Sequence, residues 1–215
     1  MLDWGLMAHY FPFLLQGAVL TLKISVFALI LGFIFGISAA LLKLSKNPLL
    51  RGAAGFYIWI VRSTPLLVQL FLIYFGLPQL GIDLGSFFSG VLGLALNIGA
   101  YNAEAIRGGI MSVPHGQMEA SRSLGMSSRL AMRRIVLPQA MRIALPSLGN
   151  NFVILIKDTS LVSTITLVEL TLAAQRLIGS TYKPFEMYLM AAFLYAVLTT
   201  ATSLLLGRVE KRMAY

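Results

Sequence analysis

The chain has 215 residues, 58% of them hydrophobic and 12% charged, about half the charged share of a soluble domain. A globular core of this length cannot hide so much apolar surface, so the composition points to lipid as the solvent. The absence of cysteine excludes disulfide frameworks and thiolate metal sites. The net charge of +9 is distributed in a way that describes a membrane topology rather than a nucleic-acid surface.

The opening residues, MLDWGLMAHYFPF, lack a basic start and carry Asp3. They are expected to stay on the protein rather than act as a cleaved signal, with Trp4, Tyr10 and Phe11 suited to a membrane interface. Uncharged runs follow at 24–42, 63–82, 84–103 and 187–207. Each is about 20 residues, the length that crosses a ~30 Å hydrocarbon layer as a helix. The first span is expected to begin near Phe13, with Lys23 snorkelling from its outer half. Its GFIFG stretch places Gly32 and Gly36 one turn apart, a pattern for close helix packing. The short apolar stretch 52–61 is either the start of the second span or an interfacial elbow before it.

A fifth span is read at 143–168, although Lys157 and Asp158 interrupt it. Pro146 is expected to sit harmlessly in its first turn. The sequence thus predicts an all-α membrane protein with five transmembrane helices, at about 13–42, 57–82, 84–105, 143–168 and 186–207. Most of the 17 basic residues fall in the 43–62 turn, the 106–142 segment and the C-terminal tail. The positive-inside rule then puts the N-terminus outside and the C-terminus in the cytoplasm.

The 106–142 segment is the long polar interruption. Residues 117–124 read as a short helix that Gly125 ends in a left-handed cap. Ser127 or Ser128 can cap a second helix through 129–135. Pro138 stands where a further helix begins or breaks. A helix–glycine–helix–proline plug of this kind is more than a loop between spans requires.

Glu119-Ala120-Ser121, then Gly125, Ile135 and Leu137-Pro138, resembles the EAA motif of ABC importer permeases, with Ser121 in place of the second alanine. The segments RSTPLLVQLF, AYNAEAIRGGI, SVPHGQMEA, LPQAMR, LPSLGN and KDTSLVSTI make the whole chain similar to the polar amino acid branch of that family. The resemblance implies one MetI-like permease domain over 1–215, in a bacterial inner membrane, with the 106–142 plug acting as a coupling helix. Glu119, Ala120, Ser121, Gly125, Ile135 and Pro138 would then contact a cytoplasmic ATPase subunit, present in two copies. It also implies a second permease subunit, identical or related, and an extracytoplasmic solute-binding protein. ATP and Mg would be bound by the ATPase subunit, and no cofactor by this chain.

No phosphate-binding G-x-x-x-x-G-K-[ST] loop occurs, and two distant histidines support no nucleophilic triad, so the chain is expected not to be an enzyme. Charges inside a span are costly and usually face a cavity. Lys157 and Asp158, about 100° apart on a helix, are therefore candidates to meet an amino acid's carboxylate and ammonium, or to form structural pairs. Asp158 lies ~18 Å along a straight helix from Pro146, a suitable depth for an alternating-access site. Ser160, Asn97, Gln69 and Glu169 are further candidates for substrate contact, with Glu169 read as three helical turns beyond Asp158. Glu104 and Arg107 are expected to pair structurally. The cargo implied is a polar, preferentially basic, L-amino acid. A stand-alone secondary transporter or channel is the alternative; it accounts for the intramembrane charges but not for the plug.

Overall fold

The computed structural model describes residues 2–213, and every regular element among them is helical. Helix α1, Trp4–Lys43, is a single rod of 40 residues. Asp3 caps it by accepting the Leu6 N–H at 3.0 Å. It therefore begins a full two turns before the expected start near residue 13. Its buried stripe is made of small residues, among them Gly17, Ala18, Thr21, Ser25, Ala28, Gly32 and Gly36. That stripe lets α4, Gly85–Ser112, lie directly against it. A β-carbon at Gly36 would stand 2.8 Å from the Asn102 Cβ and 3.2 Å from the Gly99 carbonyl, so the GFIFG stretch packs α1 on α4 as its spacing suggests.

The second span is not one straight helix over 57–82. Helix α2, Pro48–Ser63, stops at Thr64-Pro65, and the chain turns by 108° into the run 66–80. Proline removes a helical donor and forces the preceding residue into extended backbone, and Thr64 has φ −117°, ψ 145°. The stretch 52–61 lies within α2, on the near side of this elbow. Beyond the bend, α3 (Leu66–Phe71) passes through a π turn at Leu72–Gly76 and a 3-10 turn at Leu77–Leu80.

The 106–142 segment is more helical than a loop. Helix α4 continues to Ser112, α5 spans His115–Ser123, and α6 (Ser128–Ala131) leads through a π turn at Met132–Val136 into α7, Leu137–Asp158. Pro138 does not interrupt this run. Both π turns end just before a Leu-Pro pair: the Leu77 N–H reaches back to Leu72 O, and the Leu137 N–H to Met132 O. The wider turn makes room for a ring that would collide with a carbonyl one α-turn back. Pro146 lies well inside α7 rather than in a first turn.

The helix expected over 143–168 ends at Asp158. A 3-10 segment follows at Thr159–Ile165, and Thr166 adopts positive φ before α8, Leu170–Thr181. Helix α9, Pro184–Met213, closes the chain. By length and apolarity α1 and α9 each suffice to cross a membrane, and the bent pair would be a third crossing if taken as one broken span. Helix α4 packs into the protein and buries small and polar residues, among them Ser89, Gly90, Gly93, Gly99 and Asn102. The core around Ile24, Leu70, Leu94, Ile98 and Val162 joins α1, α3, α4 and the 3-10 segment.

Candidate functional site: a polar cavity and an exposed plug

The elbow, the middle of α4 and the last two turns of α7 enclose a cavity of about 350 Å³. Each wall has a reason to be there. The Thr64-Pro65 break bends the chain over α4, while Asn97 and Tyr101, one turn apart, share a face of α4. On α7, Asn151, Ile154, Leu155 and Asp158 recur at helical spacing and give the opposite wall. Asp158 is the one acidic residue among those lining the cavity. It is half-buried, and no ion pair or side-chain hydrogen bond reaches it among the described residues. It also stands at the C-terminus of α7, where the peptide dipoles add negative potential. Both features favour a cation in the cavity.

Of the six residues singled out in the sequence, Asp158 and Asn97 line this space. Lys157 does not: it is exposed on another face of α7. Ser160 is not among the lining residues; its backbone carbonyl accepts from Ser163 Oγ at 2.7 Å. Gln69 lies behind the wall and holds the elbow. Its Nε2 donates to Val61 O (2.8 Å), Thr64 O (3.1 Å) and Thr64 Oγ1 (2.9 Å), and its Oε1 accepts from Asn97 Nδ2 at 3.2 Å.

Glu169 is not a continuation of the Asp158 helix. It is fully buried and caps α8, accepting from Leu172 N at 3.0 Å and Thr171 N at 2.9 Å. The Tyr195 hydroxyl donates to it at 2.7 Å and the Thr21 hydroxyl at 3.5 Å. Its oxygens are thus engaged by groups from α1, α8 and α9. The helix break that put it there was written in no single residue; Thr166, the αL residue, is not a glycine.

Composition had drawn no attention to Tyr101, Asn102 or Asn151. Arg62 stacks on the Tyr101 ring at 5.2 Å from its centroid, and Asn151 Nδ2 donates to Asn102 Oδ1 at 3.0 Å. Asn102 is fully buried, with its Nδ2 unpaired among the described residues. The expected Glu104–Arg107 pair forms at 2.8 Å, and Lys43 joins it at 2.7 Å, tying α1 to α4.

The plug occupies the end of the bundle where α1 finishes and α7 starts. A small core of Val113, Val136 and Ala140, with Met118 and Met132, seats α5 on the π turn. Helix α5 ends in a Schellman arrangement, with Met126 N bonding Ser121 O at 3.1 Å and Gly125 N bonding Arg122 O at 2.9 Å. Gly125 has φ +84° and open space around it. Ser121 is buried, and its hydroxyl donates to Gln117 O at 2.6 Å, which is why a serine serves where alanine is usual. Glu119, Ala120 and Gly125 stay exposed, and beside them Leu124 is 83% exposed, an apolar knob that the sequence reading did not single out. Ile135 is half-buried and Pro138 exposed on the adjoining run, and Ser127 caps it as expected by accepting from Leu130 N at 3.3 Å.

A rigid bundle with one charged recess and a solvent-facing helical plug is the anatomy of a transport subunit, and sequence comparison agrees. The chain belongs to the family of binding-protein-dependent transport system inner membrane components, whose pattern matches residues 28–215. It is similar to the nopaline transport system permease protein NocM of Agrobacterium fabrum, 45% identical over 97% of this chain and 91% of that protein. The L-cystine transport system permease protein TcyB of Bacillus subtilis is 38% identical, over 99% and 92% respectively. A crystal structure of an amino acid ABC transporter with histidines superposes with a TM-score of 0.93 at 42% identity, covering 99% of both chains. The MetNI methionine ABC transporter in an inward-facing conformation shares the fold, with a TM-score of 0.80 at 19% identity over 95% of this chain and 97% of that one.

Proposed function

We propose that this chain forms half of the translocation pathway of an ABC importer for L-amino acids, and that a cationic group of the cargo binds at Asp158. The observation that carries this is the unpaired Asp158 carboxylate facing a cavity of about 350 Å³. A space of that size falls within the range of small-molecule sites. A carboxylate kept in such a place without a partner has a reason to remain if a ligand supplies the opposite charge. Asn97, Asn151 and Thr64 offer uncharged donors and acceptors for the remaining polar atoms of the cargo. The relatives' names refer to nopaline and L-cystine, and polar amino-acid derivatives of this kind suit such a lining.

We read the chain as crossing the membrane five times; the gathering of basic residues then favours the N-terminus outside and the plug, the 43–62 turn and the tail in the cytoplasm. Glu119, Ala120, Leu124 and Gly125 then meet an ATPase subunit, one of two, which binds ATP and Mg and performs the hydrolysis. Ser121 supports that surface from beneath, while Ile135 and Pro138 lie on the run that carries it. A second permease chain completes the pathway, and an extracytoplasmic binding protein delivers the amino acid.

The test is reconstitution of this chain with its ATPase and binding protein in liposomes, scoring ATPase stimulation across the twenty amino acids. Cationic and polar L-amino acids are expected to stimulate hydrolysis. Uptake driven by a proton gradient, with no ATPase present, would overturn the reading.

A further inference from the structure

We infer that Gln69 is a positioning residue whose amide sets the shape of the cargo cavity by pinning the α2–α3 elbow to α4. This rests on the reading of the cavity as the cargo site. The last carbonyls of a helix have no partner within it, and something outside the helix must supply one. At the end of α2 the need is sharper, because Pro65 brings no N–H. The chain meets it with side chains from within the bend. Thr64 Oγ1 donates to Ile60 O at 2.8 Å. The Gln69 Nε2 serves Val61 O and Thr64 O, and it reaches Thr64 Oγ1 as well. One amide nitrogen therefore satisfies the open end of one helix from a position on the next.

The other end of the same amide faces α4. Gln69 Oε1 accepts from Asn97 Nδ2, and Asn97 lines the cavity. So do Thr64, Pro65 and Leu66, the residues of the bend itself. Gln69 touches the wall from behind and is not part of the lining. Leu70, its neighbour, is fully buried against Gly93 of α4, which fixes the level at which the elbow docks. The Gln69 amide thus connects α2, α3 and α4 at the point where they form one wall. Without it, the bend loses the contact that fixes its angle, and Asn97 loses the contact that orients its amide toward the cavity.

The chain contains no cysteine, so paired labels on it, attached before assembly with the partners, meet no background from the chain itself. Phe56, 62% exposed on α2, and Leu72, 65% exposed beyond the bend, are changed to cysteine and spin-labelled in the reconstituted complex with its ATPase and binding protein. Gln69→Met keeps the length of the side chain and removes its amide; Gln69→Asn, a milder change should the first not fold, keeps an amide one methylene short. The expected result is a single narrow distance in the parent and a broadened one in the variant. The amino acid concentration for half-maximal ATPase stimulation should rise about tenfold, as for one lost polar contact. A narrow distance with unchanged half-saturation overturns the inference. So does a broadened distance with unchanged half-saturation, since the bend would then not shape the cavity. A narrow distance with raised half-saturation assigns Gln69 to direct cargo contact and also overturns it. If the parent complex responds to no amino acid, the failure lies instead with the cargo reading.

Discussion

Replacing Gly125 by aspartate should leave the protein inserted and folded but disconnect ATP hydrolysis from transport. Gly125 closes α5 with φ +84°, and an added Cβ would meet nothing within 4 Å. The intrachain penalty is therefore conformational alone, about 1–2 kcal/mol for a side chain in the left-handed region. Against a domain stability of about 5–15 kcal/mol that is a substantial share, a factor of about 5–30 in an equilibrium, but it leaves the chain folded. The strain falls on the two bonds that close the helix, Met126 N to Ser121 O and Gly125 N to Arg122 O. It thus displaces the exposed Leu124–Gly125 corner, and the new carboxylate adds bulk and charge to it. Asparagine, which tolerates this conformation better, should be milder than aspartate and alanine intermediate. The assay compares ATP hydrolysed with amino acid accumulated in proteoliposomes, alongside the amount of folded chain in the membrane. Normal transport by Gly125→Asp would refute the docking role of the plug.

Other expectations follow from the same contacts. Asp158→Asn should raise the half-saturating concentration of a cationic amino acid about tenfold or more, while Lys157→Gln, on an exposed face, should leave it within about twofold; the loss of one charged contact sets that scale. Equal effects of the two changes would remove the distinction between them. Gly36→Val forces side-chain atoms toward Asn102 and the Gly99 carbonyl; a cost of about 1–3 kcal/mol should lower the thermal midpoint in detergent. Glu169→Leu strands the Leu172 and Thr171 N–H groups and the Tyr195 hydroxyl in a buried place, at about 1–3 kcal/mol for each unpaired group. Folded yield should fall sharply, and a variant purified at parental yield and midpoint would contradict the account of Glu169 as a buried cap.

The sequence showed most of what periodicity and punctuation can show. Gly125 and Ser127 announced the two helices of the plug, and Gly32 and Gly36 announced the close packing of α1, because each answers to a local rule. Charge spacing found the apolar segments but not their ends, since helices run on past the hydrocarbon limit, as α1 does to Trp4 and α4 to Ser112. The bend at Thr64-Pro65 has a proline as its signal, yet the second span was read straight through it over 57–82. The break after Asp158 was not, because residues 159–165 are apolar and hydroxylated without a helix breaker, and what ends the helix there is packing against Leu70, Leu94 and Leu167. That break explains why Glu169 was placed on the Asp158 helix by counting turns. Gln69 was read as a candidate for substrate contact, whereas it lies outside the cavity lining and bonds the elbow. Its task is visible only once the carbonyls it serves are seen, across a bend that no spacing rule encodes.

Asp158 and the plug sit at opposite ends of one unbroken rod. Helix α7 has 22 residues, about 33 Å at 1.5 Å per residue. Tilting it by about 7° around its Leu137 end would carry the Asp158 carboxylate roughly 4 Å sideways, more than the reach of a hydrogen bond. A tilt of that size, driven from the plug, would part the carboxylate from a bound cation with no message relayed from side chain to side chain.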